Sequence, residues 1–396
     1  MKMVTPDEEY DHYVKDPRTP CKFGISCYQK NAAHKEKYKH PPKKRPAEEA
    51  ASEVENKKAK NESENGSSHS PPAPIAESEE PTATTSSTVY PKEFIKEKFL
   101  VEMPDDFYML WEYCQTLNKA NPSKAFSEIG LELVGPYDVL SQKLLNINKP
   151  TDDYLIHWRY YHDPPEFQTV LKGNDSTEYH IGYFRDDPND LPVFLAANHA
   201  KKDGVLTCVG GNIFAAVWHM MEAFKKICDP FKKLSVTNLQ GKIKKQAENL
   251  KLSLDLKPSH VKERNTKIVS STFNSIGLVV PYNRKTQVGY RHLCVGAAEL
   301  RKLLDRVGKA SPQQKEKVMS ELQPVLTATS IATDECDFGT GIELGWNILA
   351  HGVDSLNSTI ARFLATNYEL IGRDAFAVII RAHMKNRKRG VDLSIC

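Results

Sequence analysis

Four residues in the first tenth of the chain have the types and spacing of a metal site. In "PCKFGISCYQKNAAHKEKYKHP", Cys21 and Cys27 are separated by five residues, Cys27 and His34 by six, and His34 and His40 by five. Two thiolates and two imidazoles suit the soft, tetrahedral preference of structural Zn²⁺. So short a segment has almost no core, and metal binding would supply its folding free energy, about 10 kcal/mol for such peptides. The spacing excludes the DNA-reading finger, which needs a closer cysteine pair and about twelve residues before its histidines.

A second cluster is acidic. "TDECDFGTGIELG", residues 333–345, sets Asp334, Glu335, Asp337 and Glu343 among glycines and apolar residues near the start of a helical stretch. Asp334 and Glu335 are adjacent, so on a helix they face different ways. The residues leave three readings open. The acids favour the N-terminal dipole of the helix carrying "IELGWNIL", they chelate a cation, or they form a pair with two separate jobs. No phosphate loop, dinucleotide turn or Ser/His/Asp arrangement accompanies them.

The elements that must position these residues follow from periodicity. Phe107, Leu110, Trp111, Cys114 and Leu117 recur at helical spacing behind an acidic turn, and Ile213, Phe214, Val217, Met221 and Phe224 do so after Asn212. "GLELV", "YLIHWRYY", "EYHIGYF" and "LPVFLA" read as strands, with "RDDPND" as a turn, and "KIVSSTF" and "GLVVP" as further short strands. The aromatics of "HWRYYH" alternate as strand residues do, and His157 and His180 read as satisfied sheet residues rather than ligands. From Gly296 onward the pattern is helical, through Leu300, Val318, Leu356 and Phe376. Strands first and helices last give an α+β fold: an antiparallel or mixed sheet with helices over 94–260, a mainly helical part over 261–390, and a small separate zinc finger over 18–43. Residues 61–89 hold only Ile75 and Val89 as large apolar side chains, so 44–93 is expected to be a disordered linker. Its basic "PPKKRP" and "KKAK" read as a nuclear-import patch.

Composition narrows the function classes. The formal charge is +3 over 396 residues, which marks no global nucleic-acid field. Residues 20–46 nonetheless carry eight Lys/Arg against Glu36, a local excess of 8 − 1 = +7 that would attract a polyanion. No apolar run approaches the roughly 18 residues of a membrane span. Eight cysteines without secretory context point to a reducing compartment. Cys114, Cys208, Cys228, Cys294 and Cys336 read as core or near-core thiols, and the basic "RAHMKNRKRG" as a frayed, solvated helix end.

The finger resembles the poly(ADP-ribose)-binding zinc finger at Cys21, Gly24, Cys27, Tyr28, Asn31, His34, His40 and Pro41. Phe23 replaces that family's first aromatic Tyr, and Gln29 stands where it has Arg. The resemblance implies Zn²⁺ held by Cys21, Cys27, His34 and His40. It also implies poly(ADP-ribose) gripped by Phe23 and Tyr28; Lys30 and neighbouring lysines would supply the cationic charge that Gln29 does not. Over about 96–385, "LVGPYDVL", "HWRYYHDPPEFQTV", "YHIGYFRDDPNDLPVF", "VGYRHL" and "DECDFGTGIELG" resemble the histone PARylation factor family. That resemblance implies a nuclear, chromatin-associated accessory factor rather than a free-standing enzyme. It would dock on a DNA-damage-activated poly(ADP-ribose) polymerase, which itself binds NAD⁺, and direct ADP-ribose to serine on histones. Glu335 would be the general base, while Asp334, Tyr290 and Arg291 would face the polymerase. Direct DNA binding is not expected. The rival reading is a poly(ADP-ribose) reader whose body is a scaffold.

Overall fold

A computed structural model describes residues 15–20, 37–40, 91–145 and 147–396. The first two stretches belong to a unit separate from the body. There β1 (Thr19–Pro20) pairs in parallel with β2 (Tyr38–Lys39), Thr19 opposite Tyr38 and Pro20 opposite Lys39. This register sets side by side the residues that precede Cys21 and His40, the first and last of the four expected ligands. Cys21, Phe23, Cys27, Tyr28, Lys30 and His34 lie outside the described residues, as does the expected linker up to residue 90.

The body opens with α1 (Pro91–Phe99), whose first three residues fall in the span expected to be linker, and α2 (Asp105–Leu117). The five strands β3 (Glu132–Leu133), β4 (Phe167–Lys172), β5 (Tyr179–Phe184), β6 (Phe194–His199) and β7 (Thr207–Gly210) form one antiparallel sheet in chain order. Short helices α3 (Tyr137–Leu140) and α4 (Thr151–Ile156) intervene between β3 and β4. After β7 come α5 (Ile213–Phe224), α6 (Pro230–Asn249) and α7 (Ser259–Thr266). The helical part follows: α8 (Ala297–Lys309), α9 (Lys315–Asp334), α10 (Phe338–His351), α11 (Asn357–Leu370) and α12 (Asp374–Lys385). The α+β fold is as expected, with the sheet wholly antiparallel. No helix among the described residues is long and apolar enough to cross a membrane.

Alternation along the strands, reversed in β4 by a register shift between Thr169 and Leu171, explains the layering. Leu171, Ile181, Tyr183 and Leu195 point into a core shared with α1, α2, α5 and α6. Phe167, Phe184, Phe194 and Ala196 point the other way, into the core made by α8 to α12. The sheet therefore sits between an N-terminal helical layer and a C-terminal one. At the centre of the latter, all residues of α10 from Gly339 to Ala350 are buried. A Cβ on Gly341 would lie only 2.0 Å from Asn367 Nδ2, so this glycine sets how closely α10 and α11 approach.

Several strand assignments need correction. "YLIHWRYY" is α4 followed by turns, because Thr151, Asp152 and Asp153 start a helix and Trp158 has φ +54°. Its aromatic alternation belongs to a buried loop cross-linked by Arg159, which donates to the carbonyls of Leu155, Pro164 and Phe167 at 2.9 Å. His157 therefore lies at a helix end, not in the sheet; its Nε2 donates to Asp138 at 3.0 Å and its Nδ1 accepts from Ile395 N–H at 3.1 Å. "KIVSSTF" and "GLVVP" contribute only an isolated bridge between Ser270 and Leu278. Side chains replace the ladder there, with Thr272 accepting from Gly277 N–H and Asn347 from Phe273 N–H. Cys294 is exposed rather than near-core. The basic C-terminal segment is not frayed: Arg387 donates to the Tyr161 and Leu349 carbonyls and to Asn357, and burial lowers its pKa to about 10.

One buried acid couples the sheet to the helical layer. Just before β4, Glu166 Oε1 accepts from Tyr368 Oη at 2.6 Å, and Tyr368 Oη accepts from Trp346 Nε1 at 2.9 Å. Oε2 is buried without a partner, and burial lifts the Glu166 pKa from 4.5 to about 7. The folded state thus binds the extra proton, so stability falls as pH rises from about 4.5 through about 7 and then levels. Glu166→Gln should remove this dependence and gain, relative to wild type, roughly 3 kcal/mol at pH 8.5 and nothing near pH 4. Chemical unfolding at several pH values checks it; parallel wild-type and variant curves would refute the assignment.

Candidate functional site

The acidic cluster lies at the joint between α9 and α10. Glu335 is the C-cap of α9, and Cys336 follows in the left-handed region at φ +72°. Cys336 N–H donates to Thr333 O at 3.0 Å and Asp337 N–H to Ala332 O at 2.8 Å, the paired bonds of a Schellman turn. Glycine is usual at this position; a cysteine there stores roughly 1 kcal/mol of strain. Asp337 then opens α10 as its N-cap residue. Asp334 and Glu335 are therefore at the C-terminal end of one helix, the end where its dipole disfavours negative charge. The expected placement at a helix N-terminus fits Asp337 only.

The partner segment is 288–291, which runs against the start of α10. Gly289 has φ +112°, and a Cβ there would meet Pro281 O at 2.2 Å, so only glycine is accommodated. Its N–H donates to Asp337 Oδ1 at 2.9 Å, and its carbonyl accepts from Gly339 N–H at 2.9 Å. Arg291 is clamped by Thr340, whose Oγ1 accepts from Arg291 N–H at 3.1 Å and donates to Arg291 O at 2.7 Å. With its backbone fixed, the Arg291 guanidinium forks. Nε donates to Asp337 Oδ2 at 2.6 Å, and Nη2 donates to Glu335 Oε2. The two carboxylates, Glu335 first, hold the guanidinium above its ordinary pKa.

Exposure separates the roles. The Glu335 side chain is 59% exposed and that of Arg291 41%, whereas Asp337 is 11% exposed. Asp337 is the buried anchor, Arg291 the arm, and Glu335 the group presented to solvent. Among the described residues Glu335 Oε1 has no partner. An ion pair this exposed adds about 0–1 kcal/mol to stability, so its effect is orientation. Asp334 is exposed and enters no ion pair among the described residues.

Tyr290 corrects an expectation. It was expected at the surface beside Arg291 but is only 5% exposed. Its hydroxyl donates to Glu343 Oε2 at 2.9 Å, and Glu343 Oε1 accepts from Ser270 Oγ at 2.9 Å. Burial raises the pKa of both Tyr290 and Glu343. Neighbouring residues on a strand-like segment face opposite ways, so exposing Arg291 turns Tyr290 inward. The chelation reading also loses its geometry, since Glu343 faces Tyr290 while Glu335 and Asp337 share Arg291. No group of three or more metal-ligating side chains occurs among the described residues. Thr340 and Ser270 were not anticipated; single hydroxyl residues in a loop and a helix carry no periodic signal.

Comparison with known proteins places this site in context. The family profile described as "Histone PARylation factor 1" matches residues 90–387, and that described as "PBZ domain" matches residues 18–43. The chain is 38% identical over 301 residues to "Histone PARylation factor 1" of Danio rerio, covering 75% of this chain and 86% of the relative. It is 37% identical over 297 residues to the protein of the same name in Mus musculus, covering 74% and 86%. A "Putative histone PARylation factor 1-like" protein of Homo sapiens is 34% identical over 300 residues, with 74% and 86% covered. The match takes in the whole sheet, both helical layers and the α9–α10 joint, and the chain belongs to the Histone PARylation factor 1 family.

Proposed function

We propose that this chain is an accessory factor of a poly(ADP-ribose) polymerase, to whose active site it contributes Glu335 as a general base for serine. The observation that carries the reading is Glu335 itself: a carboxylate on a rigid turn, aimed by Arg291, with one oxygen open to solvent. A catalytic base whose substrate and NAD⁺ come from outside has to be presented in this way. When the glycosidic bond of polymerase-bound NAD⁺ breaks, the serine Oγ bonds to the ribose carbon and nicotinamide leaves with the bonding pair. Glu335 Oε1 takes the hydroxyl proton. A carboxylate acceptor is already nucleophilic and needs no such help, whereas a hydroxyl does.

Asp334 and Arg291 supply the docking contacts in this account, and Tyr290 contributes from the core by fixing the segment that carries Arg291. The N-terminal finger, with Cys21, Cys27, His34 and His40 around structural Zn²⁺, adds poly(ADP-ribose) binding through Phe23, Tyr28 and Lys30. It would hold the factor near polymer already made on histones at damaged chromatin in the nucleus.

Docking is tested by Arg291→Ala. The body should remain folded, losing about 1 kcal/mol, while polymerase affinity falls by ~2 kcal/mol or more, roughly thirtyfold. Tyr290→Ala is instead expected to destabilise the fold, because it opens a cavity and leaves Oε2 of the buried Glu343 without its donor. Calorimetric titration against the activated polymerase measures the first effect. Wild-type affinity in folded Arg291→Ala would exclude this face from the interface.

A further inference from the structure

The most exposed large apolar side chains of the body gather at the tip of the α5–α6 hairpin, whose core is not the one packed by the helices carrying the carboxylate site. Ile227 is 83% exposed, Phe231 92% and Leu234 69%. Phe231 and Leu234 are three residues apart in the first turns of α6, so they share a face. Ile227 lies in the connection just before it. The inner residues of this hairpin, among them Phe214, Val217, Val236 and Ile243, already fill the N-terminal core. The tip residues are thus left over by folding, and a cluster of three so exposed is more than the scattered single apolar residues of an ordinary surface.

The charges around them are one-sided. Lys225, Lys226, Lys232 and Lys233 stand within the tip against a single acid, Asp229. Lys225 is engaged by Glu222 and Gln240, and Lys232 lies 3.9 Å from Asp229. Lys226 and Lys233 are exposed and have no ion pair among the described residues. An apolar centre with a charged rim is the anatomy of a protein-protein contact. Asp229 lies between Ile227 and Phe231, accepting from Lys232 N–H as the cap of α6. A phosphate chain or an anionic bilayer would bring negative charge against it, whereas a folded or helical polypeptide can place its carboxylates opposite the lysines and leave Asp229 clear.

We propose that Ile227, Phe231 and Leu234, with Lys226 and Lys233 beside them, form a docking surface for a polypeptide segment whose apolar residues are flanked by acidic ones. The sheet separates this surface from the C-terminal layer that carries Glu335, so it can be occupied while that site is engaged. It provides a second anchor, independent of the reading given to Glu335.

The test uses the full chain and a fluorescein-labelled synthetic helix with Leu and Phe on one face and Glu and Asp at its edges. Anisotropy should show saturable binding that weakens at least about tenfold in Phe231→Asp and again in Lys226→Glu/Lys233→Glu. A matching peptide without the apolar residues should bind no better than to the Phe231→Asp variant. All these side chains are exposed, and unchanged circular dichroism and melting confirm that the variants fold. Absence of peptide binding, equal binding by wild type and variants, or preferential binding of duplex DNA or phosphatidylserine vesicles through the same residues would each overturn the proposal. Serine modification through Glu335 is read separately and should be unchanged in Phe231→Asp with purified components.

Discussion

Glu335→Gln is expected to lower the rate of serine ADP-ribosylation by roughly 10² to 10⁴, the usual worth of a general base. The substitution keeps the shape of the side chain and its ability to accept from Arg291, but removes its capacity to take a proton. Polymerase affinity should persist, because Arg291 and Asp334 are untouched, and modification of acidic residues should continue. Saturating protein should therefore not restore serine transfer. Asp334→Ala should behave differently, with weaker association and partial rescue by excess protein. Stability supplies an independent sign. Glu335 caps the C-terminal end of α9, where negative charge is disfavoured, so its neutralisation offsets the weakened pair with Arg291 and stability should change by less than about 1 kcal/mol. A loss of transfer accompanied by a large loss of stability would point to misfolding instead. Initial rates at several protein concentrations, together with denaturant unfolding, separate these cases.

Cys27→Ala is expected to abolish poly(ADP-ribose) binding by the N-terminal unit. The four proposed ligands supply most of that unit's folding free energy when metal is bound, about 10 kcal/mol, and three ligands cannot close a tetrahedral structural site. The body, a separate compact unit, should melt as in wild type and still support serine transfer in a purified system. Since the polymer is a polyanion and residues 20–46 carry a charge excess of 8 − 1 = +7, wild-type affinity should fall as salt rises. Metal analysis of the reduced full chain should find one zinc per wild-type molecule and none in the variant. Polymer binding that survives in the metal-free variant would remove the finger from this account.

The parts of the fold that were legible were those with long, clean periods. Helices α2, α5 and α8 and strands β5 and β6 each bury a continuous face, and their apolar spacing survives in the sequence. β4 was missed because Gln168 and Thr169 are polar yet buried in a sheet covered on both faces, which erases the alternation. "HWRYYH" misled because a loop held by Arg159 can bury alternate aromatics as a strand does. At the site, the residue types were visible but the geometry was not. Cys336 hid the break between α9 and α10 by taking a left-handed conformation usually left to glycine, so Glu335 read as the start of one helix rather than the end of another. The Arg291–Glu335 contact joins residues 44 positions apart, and no local pattern encodes it. Only likeness to a family assigned both residues to one site beforehand, and the same likeness gave no warning that Tyr290 would be buried.

The most direct test of the central claim is to map acceptor residues by mass spectrometry. A purified poly(ADP-ribose) polymerase would be activated by broken DNA and supplied with NAD⁺ and histones, alone, with this protein, and with its Glu335→Gln variant. Polymerase alone should modify acidic residues, addition of the wild-type chain should shift modification to serine, and the variant should bind the polymerase yet leave serine unmodified. Serine modification at wild-type levels with a folded, polymerase-bound Glu335→Gln variant would contradict the assignment of the base.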